Sequence, residues 1–191
     1  MVHAWDATAI SSLSRRSWAG DRTVYWRVLK FGLLVVAGLA VASLLTTKTF
    51  RVEAVIPATP EEVWAVLTDT ERYPQWNPVF VEVVGEYETG AEVLNKVKDA
   101  SGNILEMTAT VRTVAPYREL RQTGGTHGLI TFDHRWLLEP VEGGTRVIQH
   151  EIDRGALLWF WNSDWIEPAY ARTTEALAQR VAQMRGRTRR E

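Results

Sequence analysis

The chain has 191 residues, 46% of them hydrophobic, with a formal net charge of -1 and no cysteine. That length fits one ordinary globular domain plus an appendage, and the near-neutral charge excludes bulk nucleic-acid binding. The absence of cysteine excludes disulfides and thiolate-bound zinc.

Residues 1–23 show no hydrophobic period and read as a disordered segment. Residues 31–47 carry no charge and are bracketed by Lys30 and Lys48. With Tyr25 and Trp26 as an interfacial aromatic belt, the segment 24–47 reads as a transmembrane anchor. A cleavable signal peptide is the rival reading, because Ala40-Val41-Ala42 has the small residues of a cleavage site. Arg15, Arg16, Arg22, Arg27 and Lys30 precede the apolar run, while acids soon follow it. The positive-inside rule therefore puts the N-terminus in the cytoplasm and the domain on the outer side of the membrane.

Residues 50–56 alternate as a first strand. Thr59, Pro60 and Glu62 then form the signature of a capped helix start, with Val63, Val66 and Leu67 as its apolar stripe. Asp69-Thr70 opens a second short helix, and Pro74 and Pro78 bracket Trp76. Six strand-like runs follow, at 79–87, 92–98, 104–114, 118–123, 129–138 and 145–152. Glycine turns separate most of them, including Gly124-Gly125 and Gly143-Gly144, which predicts an antiparallel meander. A helix over 166–184 places Ile166, Tyr170, Thr173, Leu177, Val181 and Met184 on one face. Residues 186–191 form a basic tail; the stretch from Arg185 onward reads as a frayed, solvated end.

The fold class is thus α+β: a curved antiparallel sheet of about seven strands against one long C-terminal helix. This order, together with Ile56-Pro-Ala-Thr-Pro-Glu-Glu-Val-Trp-Ala-Val-Leu-Thr-Asp69, Tyr73-Pro-Gln-Trp-Asn-Pro78 and Glu142-Gly-Gly-Thr-Arg-Val147, resembles the START-like (SRPBCC) superfamily. Within it, the chain looks most like the bacterial polyketide cyclase/dehydrase and lipid-transport-like proteins. The resemblance covers a domain over 48–185 and implies a helix-grip fold with a hydrophobic cavity between sheet and long helix.

Taking the region around Glu142-Gly143 as the tip of the last hairpin sets His134 opposite His150 and Trp136 opposite Ile148. The inner face is then Phe132, His134, Trp136, Leu138, Ile148, His150 and Ile152, and the outer face Thr131, Asp133, Arg135, Gln149 and Glu151. Trp76, Phe132, His134, Trp136, Ile148, His150, Trp159 and Tyr170 are accordingly the expected ligand-binding residues. His134 and His150 are candidates for a general acid/base pair, and equally for a hydrogen-bonded core pair or ligand contacts. The apolar segment Ala156-Leu-Leu-Trp-Phe-Trp161 reads either as a cap over the cavity or as a lip dipping into the membrane. No zinc motif, phosphate loop or nucleophile elbow is present, so neither metal nor cofactor is expected. The leading expectation is a membrane-anchored carrier of a lipid or other hydrophobic small molecule. The alternatives are a cyclase/dehydratase-like enzyme and a protein-interaction module.

Overall fold

The computed structural model describes residues 19–188, so Trp5, Trp18, Arg189, Arg190 and the first eighteen residues expected to be disordered lie outside the described residues. The chain divides into two compact units after Val41. Helix α1 (Ala19–Leu45) has 27 residues and is about 40 Å long. It is already helical at Ala19, so residues 19–23, expected without structure, are not. Its stretch Arg22–Leu45 is long and apolar enough to cross a membrane, and its valine, leucine and aromatic side chains are exposed.

The second unit takes in the last turn of α1 and then strand β1 (Thr47–Ile56), which starts three residues earlier than its alternation suggested. Helix α2 (Pro60–Leu67) carries the expected capping box: Glu62 N–H donates to Thr59 Oγ1 at 3.4 Å, and Thr59 N–H donates to Glu62 Oε2 at 2.9 Å. Thr59→Ala removes the first of these and is expected to cost about 1 kcal/mol in urea unfolding. A single 3₁₀ turn leads to the one-turn helix α3 (Tyr73–Trp76). Behind it, Asn77 Oδ1 accepts from the backbone N–H of Val79 and Phe80 at 3.0 and 2.9 Å, which turns the chain into the sheet.

Strands β2 (Phe80–Val84), β3 (Glu92–Lys98), β4 (Ile104–Ala115), β5 (Glu119–Thr126), β6 (Ile130–Val141) and β7 (Gly144–Arg154) form an antiparallel meander. The sheet order is β1-β7-β6-β5-β4-β3-β2, so the first strand pairs with the last. Register shifts between Phe80 and Glu82 and between Val111 and Thr113 mark bulges, which bend a sheet. Helix α4 (Ile166–Thr188) packs Leu177 and Val181 against α2 and the sheet. Ile166, Tyr170 and Thr173 are also buried, as their helical spacing requires.

Two expectations are corrected. Gly124 and Gly125 are not a turn but part of β5, and the chain reverses over Thr126–Leu129, where Leu129 N–H donates to Thr126 O. These glycines permit close approach instead: a Cβ on Gly124 would lie 2.5 Å from Thr108 O and 2.6 Å from the Phe132 ring. Nor is Arg185 a frayed end. Its guanidinium lies 3.1 Å from Glu62 and also donates to Pro57 O, so α4 is tied back to the start of α2.

Candidate functional site

The β6–β7 loop is two residues, Glu142 and Gly143, with Gly143 at φ +88°. Val141 therefore pairs with Gly144, His134 with Glu151, Arg135 with His150 and Trp136 with Gln149. This is one residue away from the expected register, and a one-residue slip turns a whole strand over. The residues that join Phe132, His134 and Trp136 on the inner face are thus Val147, Gln149, Glu151 and Asp153, whereas Ile148, His150 and Ile152 lie on the outer face. Ile148 is still buried there, with Leu137 and Glu53 as its cross-strand neighbours. His150 is half-buried beside Arg135 and Arg51, and burial followed by these two cations lowers its pKa. The two imidazoles consequently sit on opposite faces and form no acid/base pair.

A cavity of about 470 Å³ lies between the concave face and the N-terminal half of α4. Its apolar wall includes Val79, Phe80, Val97, Leu105, Met107, Ile130, Phe132 and Ile166, with Trp161 and Trp165 from the segment before α4. Its polar wall is Asn95, Gln122, His134, Glu151, Asp153 and Tyr170, with Glu106, Thr108 and Thr126. Among the expected ligand-binding residues, Phe132, His134 and Tyr170 line it. Trp136 stands behind His134 in the main core, ring edge to ring face at 5.9 Å. Trp76 packs on Tyr73 at 5.1 Å, away from the cavity. Trp159 is 43% exposed outside it, where its Nε1–H donates to Thr46 Oγ1 at 2.8 Å.

The polar wall is electrostatically unusual. Thr174 Oγ1 donates to Gln149 Oε1, and Gln149 Nε2 lies 3.0 Å from His134 Nε2. With the amide donating, His134 Nε2 accepts and Nδ1 carries the proton. Burial lowers the His134 pKa to about 4, so the ring is neutral near pH 7. Glu151 is pushed up to about 8, first by burial and then by Asp153, and the Tyr170 hydroxyl hydrogen-bonds it. Asp153 is pushed up to about 7, again chiefly by burial, against the pull of its hydrogen bond to Glu151 and of Lys48. The two carboxyls thus share protons near neutrality. Lys48, the cross-strand partner of Asp153, donates from Nζ to Trp161 O at 3.0 Å and Ser163 Oγ at 2.9 Å, which fastens the tryptophan-bearing segment over the cavity.

Sequence reasoning placed Glu151 on the wrong face and passed over Asp153, Asn95 and Gln122. The signal that finds the acids is the length of the β6–β7 loop; nothing local marks Asn95 or Gln122. The Asp133–Arg135 pair expected on the outer face is there, joined by Arg121, whose Nε and Nη2 donate to the two Asp133 oxygens at 2.9 and 2.7 Å. Among the described residues no three His, Asp or Glu side chains converge as a metal site.

A family model described as polyketide cyclase / dehydrase and lipid transport matches residues 47–182. No curated protein sequence matches the chain. Similar solved structures include an uncharacterized protein from Rhizobium leguminosarum (14% identity, 72% of this chain and 96% of that one, TM-score 0.58). A protein from Rhodobacter sphaeroides shares 20% identity over 73% of this chain and 99% of its own, with TM-score 0.56. The Zhui aromatase/cyclase from Streptomyces sp. R1128 shares 16% identity over 72% and 95%, with TM-score 0.58. At such identities the likeness is one of fold.

Proposed function

The chain belongs to the polyketide cyclase / dehydrase and lipid transport family, and from that membership we propose that its helix-grip domain carries a lipid or another hydrophobic small molecule while α1 anchors it in a membrane. The observation that carries this reading is the cavity: about 470 Å³, open to solvent and walled mostly by apolar side chains. That volume falls within the range of small-molecule sites, and an interior filled by side chains would instead have favoured an interaction module. The anchor reading rests on the length and apolar exposure of Arg22–Leu45, with Arg22, Arg27 and Lys30 at its N-terminal end favouring a cytoplasmic N-terminus. The domain spans 48–185 in this reading.

Leu129, Leu157, Trp159 and Phe160 are 52%, 45%, 43% and 85% exposed. Leu157 N–H donates to Leu129 O, and the Trp159 and Phe160 rings meet edge to face at 6.4 Å, so these side chains share one apolar patch of the helix-grip domain. A lip of this composition at the membrane surface would let ligand pass between bilayer and cavity without crossing water, and tethering keeps the exchange local.

Native mass spectrometry of the full chain, released from detergent and followed by lipid extraction, tests the carrier reading. A defined co-purifying lipid or polycyclic mass supports it. An empty protein that also fails to take up a fluorescent apolar probe overturns it. Carbonate washing tests the anchor: the full chain is expected in the membrane pellet and residues 48–191 in the supernatant.

A second reading, a cyclase/dehydratase-like enzyme, is favoured by Glu151. A carboxyl held protonated near pH 7 in the cavity wall can donate a proton to a leaving hydroxyl. It requires that a polyketide substrate lose one water in the presence of the protein and that Glu151→Gln stop the loss.

A further inference from the structure

Two acceptors on the cavity's polar wall have no donor among the described residues. Asp153 is 2% exposed and Asn95 5%, yet Asp153 Oδ1 and Asn95 Oδ1 accept no hydrogen bond. Both residues line the cavity, on strands β7 and β3. Asn95 is held in this orientation because its Nδ2 donates to Gln122 Oε1 at 3.1 Å, which leaves the carbonyl oxygen free. Among the described residues, the other buried side-chain atoms without partners, Trp76 Nε1 and Asn77 Nδ2, are donors and belong to residues that do not line the cavity. Leaving a buried acceptor unmatched is costly, so two on one wall mark a place suited to the donors of a bound molecule.

Charge points the same way. No lysine or arginine is among the residues lining the cavity. His134 from β6 is neutral, and Tyr170 from α4 is spent on Glu151. Lys48 from β1 is outside the lining and engaged with Trp161 O and Ser163 Oγ. Asp133, on the outer face of β6, adds a further negative charge nearby. A carboxylate or phosphate entering here meets three acids, Glu106, Glu151 and Asp153, and no cation in the lining.

Building on the carrier reading above, we infer that the bound molecule presents a hydrogen-bond-donating head, a hydroxyl or an amine, to Asp153 and Asn95, and that anionic heads are rejected. A hydroxyl donates to a carboxylate or an amide oxygen without net charge. An ammonium does the same and, by favouring the doubly ionised acid pair, releases a proton as it binds.

The test uses the full chain in phosphatidylcholine nanodiscs, a neutral naphthylamine probe, and dodecanol, dodecylamine and dodecanoate as competitors of equal chain length. Dodecanol or dodecylamine is expected to displace the probe at concentrations about tenfold or more below dodecanoate at pH 7. Asp153→Asn, which keeps the shape and halves the acceptor, should cut that preference, with thermal unfolding of the same sample showing that the variant is folded. The amine and alcohol arms separate by pH: amine affinity rises from pH 6 to 8, and alcohol affinity does not. Dodecanoate binding as well as the others overturns the inference and leaves the carrier reading standing, and so does an Asp153→Asn preference equal to that of the parent. If neither the probe nor any competitor binds, the carrier reading fails and the inference with it.

Discussion

Replacing Trp136 with alanine is expected to cost about 3–5 kcal/mol of unfolding free energy. The ring is 3% exposed and sits in the main core with Leu120, its cross-strand neighbour, and with Leu177 of α4. It also braces His134, whose imidazole meets it edge-on. Nothing small enough to refill the space moves easily, because the ring lies between a central strand and the helix that grips it. Urea unfolding of the full chain in detergent reads the change as a lowered midpoint at constant slope. His150→Ala is the control: on the outer face and half-buried, it should move stability by no more than about 0.5 kcal/mol. Equal effects at the two positions would mean that the hairpin register is not the one described.

The second large effect is on pH. Glu151 and Asp153 have folded-state pKa values of about 8 and about 7, far above those of an unfolded chain. Around neutral pH the folded state therefore holds protons that the unfolded state has released, and stability falls as pH rises. Below pH 6.5 His134, with its folded pKa of about 4, acts in the opposite sense and offsets part of this. That offset fades above about pH 7.5, where His134 is neutral in both states and the acid pair acts alone. Between pH 6.5 and 8.5 the loss should reach about 2 kcal/mol, since each pH unit below the folded pKa is worth about 1.4 kcal/mol. For a chain of this length that lowers Tm by roughly 4–8 °C. Glu151→Gln removes the group with the higher folded-state pKa and leaves Asp153 raised by its own burial, so the fall in Tm over the same range should shrink to the part that Asp153 contributes. A parent whose Tm is level from pH 6.5 to 8.5 would exclude a protonated pair in the cavity.

The pair has a functional corollary. A buried acid that keeps its proton because it is desolvated and unpaired with a cation is sensitive to what enters. The same two carboxyls that weaken the fold at high pH would be the ones that select the ligand's head, an instance of stability given up at a binding site.

Much of the architecture is local and was readable before any coordinates. The capping box at Thr59 and Glu62, the apolar stripe of α4 and the uncharged run in α1 each depend on residues within a few turns of one another, and each stands as expected. The meander order follows from glycines between alternating runs, and with the sequence strings at 56–69, 73–78 and 142–147 it carried the fold. The candidate site was less legible. Strand β7 carries apolar residues on both faces, Val147 inward and Ile148 outward, so polarity alone favours the wrong face. Only the closed hairpin, with Glu142 and Gly143 as its whole loop, decides that His150 points out and that Glu151 and Asp153 point in. Because side chains in a strand alternate with a period of two, a single residue of register separates an apolar cavity with paired imidazoles from one with a buried acid pair. That register turns on the exact length of the β6–β7 loop, which the polarity of neither strand reveals and only the paired strands make plain.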